Sequence, residues 1–202
     1  MSIDRPQANP DGVDLVTGAL CGEGYEYAAA VAAEFPAIPF PSGWKANIQG
    51  IDLNLQYPAE WQRAKEIKFA QGFDRPAPRD YVGPKPLCAP ESAAMYRRTL
   101  RACYQLILAY HTQGRIIYWK FDDYNPEGSY ELGRRMEAVS GYTLEETPYG
   151  SGSAGYKDWF IQQFQRPGYT IEAGYGANPL PLSQFDEIYR DNLGILLLGM
   201  TG

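Results

Sequence analysis

Two ionisable residues stand where this chain could carry out chemistry. His111 is the only histidine among 202 residues, and it closes the apolar run "LILAYH". Glu172 closes a second apolar run, "GYTIE". In open α/β sheets ligands bind at the carboxyl ends of strands, and glycine-containing loops follow both residues. His111 and Glu172 are therefore natural candidates for a shared site.

Each residue also has a purely structural interpretation. His111 alone is most simply a core histidine held by a hydrogen bond, and the alternative is a metal ligand or catalytic base. Glu172 alone could belong to an ordinary ion pair. Because buried strand carboxylates are rare, a functional role is favoured for it.

The elements that must position these residues follow from apolar periodicity and turn signals. Helices alternate with apolar strands, which predicts one α/β domain over 1–202 with a mixed, largely parallel sheet flanked by helices. A turn is expected at "NPDG" (9–12), with no periodicity before it, and a long ordered loop at 69–90. The charged stretch "QRAKEIK" reads as a solvated helix face. We expect helices at 23–35, 90–102, 128–141, 155–164 and 183–200, strands at 103–111, 115–121 and 168–174, and a short strand within 44–61.

Composition excludes several classes of function. A formal net charge of -6 disfavours a nucleic-acid partner, which needs clustered basic residues. No apolar run is long enough for a membrane span. The polar N-terminus "MSIDRPQANPDG" is unlike a signal peptide. Three cysteines without CxxC spacing predict reduced thiols, so the chain as given reads as cytoplasmic.

Five motifs occur in the order found in zinc carboxypeptidase A-like peptidases: "NPDG", "GWKANIQGIDLN", "HTQGRIIYW", "PYGSGSAGYKDW" and "GYTIEAGYGANPLPLSQF". The chain resembles most the bacterial branch of γ-D-glutamyl-L-diamino acid endopeptidases. The resemblance implies a zinc carboxypeptidase-like fold, N-terminally incomplete, and a hydrolase that acts on peptidoglycan-derived peptides of the cell wall. Zinc is the implied cofactor.

The resemblance also assigns roles to single residues. His111 matches a zinc ligand, and Glu172 matches the general base. Tyr149 resembles a mobile tyrosine that closes over substrate. Lys45 stands where relatives carry an arginine that stabilises the oxyanion, and a lysine supplies the charge without the bidentate fork.

Two further assignments concern the substrate. Asn54 resembles the asparagine that hydrogen-bonds the terminal carboxylate of the substrate. Lys157 resembles the residue at the base of the pocket for the side chain after the scissile bond. An ammonium there would favour an acidic group such as the side-chain carboxylate of diaminopimelate. For Lys157 a surface position on an amphipathic helix remains an open alternative, as does a turn role for Asn54.

Two positions depart from the family pattern. Leu55 follows Asn54 where C-terminal trimming enzymes carry an arginine, which favours the endopeptidase branch. The HxxE motif that supplies a histidine and a glutamate to zinc is absent, and a chain with one histidine cannot contain it together with the later ligand. Two of three expected zinc ligands are therefore missing, and the chain reads as the rear two-thirds of a peptidase domain.

Three interpretations stay open from the sequence. The first is a zinc metallopeptidase whose N-terminal portion is missing, which would make a secreted or cell-wall location compatible with the chain. The second is a metal-free relative that binds wall peptides without cleaving them. The third is an inactive fragment whose unpaired sheet edge favours self-association. The sequence does not predict an oligomeric state.

Overall fold

A computed structural model describes residues 8–150 and 152–201. The chain divides after Ala102 into two compact units, called unit 1 and unit 2 below. The polar stretch before the "NPDG" turn lies almost wholly outside the described residues. That residues 1–202 belong to a single domain, as the sequence analysis expects, stays a prediction. None of the described helices has the length and apolar character needed to cross a membrane.

Unit 1 consists of helices and loops in its described part. Its core forms where α1, α2 and the loop after α2 bring apolar side chains together, with Leu15, Ala28 and Trp44 among the most buried. The helices are α1 (Pro10–Thr17), α2 (Glu23–Ala33), α3 (Trp61–Ala70) and α4 (Pro90–Arg101), and a 3₁₀ turn covers Leu53–Leu55.

Two expectations for unit 1 are wrong. The segment 44–61 contains no strand, because polar side chains capture nearby backbone groups: Asn47 Oδ1 accepts from the amides of Gln49 and Ile51. The "NPDG" cluster begins a helix. Asn9 caps it by accepting from the Gly12 amide at 3.2 Å, and Pro10 occupies the first turn.

Unit 2 contains a four-stranded mixed sheet in the order β1-β4-β2-β3. The pairs β1–β4 and β2–β3 are parallel and β2–β4 is antiparallel, which confirms the predicted fold class. The short strand β3 was missed, because its three residues lack an apolar run. The elements are β1 (Ile107–His111), β2 (Ile116–Tyr118), α5 (Ser129–Ser140), β3 (Thr143–Glu145), α6 (Tyr156–Phe164), β4 (Gly168–Glu172), a 3₁₀ turn (Leu182–Gln184) and α7 (Phe185–Thr201).

Helices cover both faces of this sheet. One face carries Tyr169 and Ile171, which join a buried cluster with Met136 of α5 and Ile195 of α7. The opposite face packs on α6. A Cβ placed on Gly168 would lie only 3.2 Å from Ile161 of α6, so glycine permits this close approach. Fully burying one such aliphatic side chain contributes about 1.5–3 kcal/mol, and the two layers together hold the sheet.

Candidate active site

The ends of β1 and β4 bring His111 and Glu172 side by side. The two residues are register partners in the parallel pair, and the Ala173 amide donates to the His111 carbonyl at 2.8 Å. Side chains of register partners point to the same face of a sheet. Because Tyr169 and Ile171 alternate onto the other face, His111 and Glu172 lie on the α6 face, and both are half-buried. This register is compatible with the shared site expected from the sequence, which stays a prediction.

The turn after His111 returns the chain to β4 on its other side. The Gly114 amide donates to the Gly174 carbonyl at 2.9 Å, and the Arg115 amide donates to the Glu172 carbonyl at 2.7 Å. Gly114 has φ +146°, which suits glycine. Glu172 is thus held between two strands, because its own carbonyl bonds to Arg115 and its neighbour Ala173 bonds to His111 on the other side.

Tyr118 of β2 lies on the same face, two residues from the register partner of Glu172. Burial raises the pKa of the Tyr118 phenol, and the charges of Glu145 and Glu172 raise it further. Sequence reasoning missed Tyr118, although alternation along "RIIYW" places it opposite Ile117.

Lys157 is the most enclosed of the predicted site residues, with 3% of its surface exposed. Its ammonium lies 2.7 Å from Asp158 Oδ1, and it donates to the Lys120 carbonyl at 2.8 Å and to Thr147 Oγ1 at 2.9 Å. Its stem approaches Gly168 on the α6 face of the sheet. The interpretation as a solvated surface lysine is wrong, because α6 turns this side chain inward.

Tyr149 is in a loop between β3 and α6 and has 70% of its surface exposed. The Gly152 amide donates to the Pro148 carbonyl at 2.9 Å, which closes a turn around it. An exposed tyrosine on a turn suits a side chain that moves over a ligand. The role itself stays a prediction.

Lys45 and Asn54 belong to one loop of unit 1, and both side chains are exposed. The Lys45 amide donates to the Pro78 carbonyl at 2.8 Å. The Asn54 amide donates to Asp52 Oδ1 at 3.1 Å, and Asp52 Oδ2 accepts from the Asp80 amide at 3.0 Å. Asp52 therefore holds the Asn54 turn against the 71–89 loop.

Asp52 connects the two predicted residues of this loop, because the charge of Lys45 acts on its carboxyl group and the Asn54 amide donates to it. Burial raises the pKa of the Asp52 carboxyl and the charge of Asp80 raises it further, whereas hydrogen bonds from the Asp80 and Asn54 amides and the charge of Lys45 act in the opposite direction. Although burial disfavours its charged form, Asp80 has a lowered pKa because Lys68 and Arg79 each lie 2.6 Å away. Sequence reasoning missed Asp52. The pattern Asp-x-Asn, typical of an Asx turn, could have indicated it.

The residues present do not fit the complete zinc site that the resemblance implies. That site needs two histidines and a glutamate. The chain has one histidine, His111. Among residues 8–150 and 152–201, no group of three or more potential ligands is arranged to hold a metal ion. His111 alone is one donor of such a set.

A sequence profile described as zinc carboxypeptidase matches residues 5–194, and the chain belongs to this family. Membership confirms the predicted resemblance and supports a hydrolase. Among curated relatives, gamma-D-glutamyl-L-diamino acid endopeptidase 1 of Lysinibacillus sphaericus is 46% identical over 96% of this chain and 48% of that protein. The uncharacterized protein YqgT of Bacillus subtilis is 40% identical over 95% of this chain and 50% of its own length. The chain thus spans about half the length of the curated relatives it matches.

Solved structures agree on the fold. Carboxypeptidase A from Helicoverpa armigera matches with a TM-score of 0.61 and 18% identity, covering 97% of this chain and 49% of that one. Bovine thrombin-activatable fibrinolysis inhibitor, in complex with tick carboxypeptidase inhibitor, matches with a TM-score of 0.54 and 15% identity over 75% of this chain and 56% of its own. At these identities the likeness concerns the fold alone, and it confirms the carboxypeptidase-like architecture.

Proposed function

We propose that this chain carries the later zinc ligand and the general base of a metallopeptidase that cleaves γ-D-glutamyl-diamino acid bonds in peptidoglycan-derived peptides. The observation that carries the proposal is the register pairing of His111 with Glu172 on one sheet face in a member of this family. The substrate class is supported by the name of the relative from Lysinibacillus sphaericus.

Within this proposal, Glu172 moves the proton. Its carboxylate takes a proton from the attacking water and passes it to the leaving amine, so that no separate acid is required. His111, the register partner of Glu172 on β1, would supply one of the metal's ligands. Because the chain has no other histidine, the family's second imidazole must come from outside residues 1–202. For these residues alone we expect negligible peptidase activity.

The remaining roles concern the substrate. Lys45 places a positive charge for the oxyanion, and Asn54 offers an amide to the carboxylate of the substrate. Tyr149 closes over the bound peptide from its exposed turn. Lys157 sets the preference for an acidic side chain, although its three donors already have acceptors within unit 2. A ligand carboxylate must therefore take the place of one of these acceptors.

A second function is favoured by the single histidine. In it the chain binds wall peptides and cleaves nothing, with Lys45, Asn54 and Lys157 as contacts. Because these residues alone are expected to hold zinc weakly in either function, cleavage by a chimera that restores the rest of the site separates the two.

A chimera tests the proposed peptidase directly. The matching half of the Lysinibacillus sphaericus endopeptidase is replaced by this chain, and release of the diamino acid from a γ-D-glutamyl-diaminopimelate peptide is followed by mass spectrometry. We expect cleavage that is lost in His111→Ala and Glu172→Gln and kept in Glu145→Gln, an exposed strand glutamate. A folded, zinc-loaded chimera without activity contradicts the proposal.

A further inference from the structure

Arg115 lies where the turn after His111 joins β2. Its amide donates to the Glu172 carbonyl at 2.7 Å, and its carbonyl accepts from the Thr143 amide at 2.9 Å. Glu172 is the last residue of β4 and Thr143 the first of β3. The backbone of Arg115 is therefore bonded to both strands that flank β2, and one of these bonds ends on the proposed base.

The backbone of Arg115 has a conformation that is unfavourable for a side chain. Its φ is +55°, in the left-handed region that few residues other than glycine and asparagine adopt. A residue keeps such a conformation only where the contacts around it compensate for the cost. The side chain of Arg115 makes contacts of that kind.

The guanidinium of Arg115 is anchored on the first turns of α7. Its Nη1 lies 2.9 Å from Glu187 Oε1, and its Nη2 lies 3.2 Å from Asp191 Oδ2. Glu187 and Asp191 are four residues apart, so they are neighbours on one side of the helix. Because two different nitrogens make these contacts, the planar fork of an arginine is needed, and a lysine offers a single nitrogen. Arg115 thus connects the backbone next to Glu172 to α7.

A buried tyrosine completes this anchor. The guanidinium carbon of Arg115 lies 5.2 Å from the centre of the Tyr142 ring, within the range of a cation–π contact. The Tyr142 hydroxyl accepts from Asn192 Nδ2 of α7 at 2.9 Å and from the Gly174 amide at 3.4 Å. Contacts that lead to α7 therefore hold the backbone at Glu172 and again two residues later at Gly174.

We propose that Arg115 is a positioning residue for the candidate active site. Through its ion pairs with α7 it holds the turn after His111 and the Glu172 carbonyl in place. It acts through the backbone, because its guanidinium lies against Tyr142 of the α7-face cluster whereas the Glu172 side chain is on the α6 face. The consequence for catalysis rests on the proposed function, but the effect on the backbone can be measured without it.

Hydrogen exchange of the purified chain measures the positioning in the absence of zinc and substrate. Arg115→Asn removes the guanidinium and keeps a residue that tolerates the same φ. We expect the Gly114 and Ala173 amides, which bond across the ends of the strands, to exchange about tenfold faster in this variant. The Ile107 amide, at the other end of β1, should exchange as in the wild type. Unchanged rates, or equal acceleration of all three amides, would overturn the proposal.

The partners of Arg115 give an independent set of variants. Glu187→Gln with Asp191→Asn removes both ion pairs while Arg115 stays in place, and it should accelerate the same two amides. Arg115→Lys keeps the charge without the fork and should lie between the wild type and Arg115→Asn. The matched control is Arg190→Gln, at an exposed arginine of the same helix, which should leave these amides unchanged. If the double variant exchanges like the wild type, the ion pairs do not hold the turn and the proposal fails.

The chimera with the Lysinibacillus sphaericus endopeptidase gives the catalytic readout. A catalytic group misplaced by about 1 Å can slow a reaction roughly hundredfold. Arg115→Asn should therefore lower kcat by about tenfold or more and change KM by less than about twofold, and Arg190→Gln should change neither. A raised KM with unchanged kcat would contradict positioning of the base. If the chimera with the wild-type chain is inactive, the proposed function fails, and the exchange rates still decide whether Arg115 positions the backbone.

Discussion

In unit 2 His111 and Glu172 are held by strand register, whereas in unit 1 Lys45 and Asn54 are held by hydrogen bonds between loop segments. His111 and Glu172 are adjacent because β1 and β4 pair over five residues. Lys45 and Asn54 keep their places because loop carbonyls and the Asp52 carboxylate accept their amides. Regular backbone pairing follows from apolar patterning, but a bond between two loops depends on single side chains. Mutations in the two units should therefore lower stability through the loss of different interactions.

The largest effect is expected at the buried ion pair of unit 2. Lys157→Met should lower the free energy of unfolding by about 3–5 kcal/mol, because it leaves the buried Asp158 carboxylate without its cation. Lys120→Met breaks a partly exposed pair with Glu146 and should cost less than about 1 kcal/mol. Urea unfolding measures both.

A double variant sharpens this result. Lys157→Met with Asp158→Asn should recover part of the loss, since no buried charge then remains and an amide oxygen can still accept from the Gly155 amide. If Lys157→Met alone is as stable as the wild type, the ion pair does not hold α6 and this part of the comparison fails.

The corresponding test in unit 1 is Gln56, which is fully buried. Its amide donates to the Val82 carbonyl and accepts from the Ala89 amide at 2.9 Å. Gln56→Ala should cost about 2–3 kcal/mol, because two backbone groups lose their partner in a buried place. Gln49→Ala, at an exposed glutamine of the same region, should stay within about 0.5 kcal/mol of the wild type. Equal effects of the two would show that loop bonds do not organise unit 1.

Asp52 should have a smaller effect. Asp52→Ala removes the acceptor for the Asn54 and Asp80 amides and should cost about 1 kcal/mol, the usual value for a lost cap. Asp52→Asn keeps one acceptor oxygen and should retain most of the stability. Hydrogen exchange of the Asn54 amide is the local readout, and it should be faster in the alanine variant. Unchanged exchange there would mean that Asp52 does not position Asn54.

The smallest effect concerns pH. Because the pKa of Asp52 is raised in the folded chain, the folded state keeps its proton longer than the unfolded state does. The contribution of Asp52 is present below the ordinary value of 3.8 and is lost as the pH rises through the raised pKa. Between these limits, wild-type stability should fall with rising pH relative to Asp52→Asn. Parallel curves for the two chains would contradict the shift.

The sequence predicted best what regular patterns encode. The apolar runs that end at His111 and Glu172 are strands, and Gly141 ends α5 as expected. The sequence predicted poorly the backbone conformations that depend on hydrogen bonds to single side chains. Asn47 converts an expected strand into a turn by accepting two amides, and Asn9 turns an expected loop into a helix start.

Lys157 shows the same limit within the candidate site. The sequence motif already shows that Lys157 precedes an Asp-Trp pair. Its burial against the Lys120 carbonyl and Thr147 depends on residues 37 and 10 positions away, which spacing along one helix does not report. Contacts of this kind arise only when the fold brings distant segments together.

Zinc titration of the purified chain tests the central claim most directly, namely that these 202 residues carry one ligand and the base of the family's site. Competition with a chelator of known affinity, followed for the wild type and for His111→Ala, gives the binding constant. A single imidazole cannot hold zinc tightly, so we predict binding weaker than about micromolar and little difference between the two chains. One-to-one, sub-micromolar binding that disappears in His111→Ala would contradict the account.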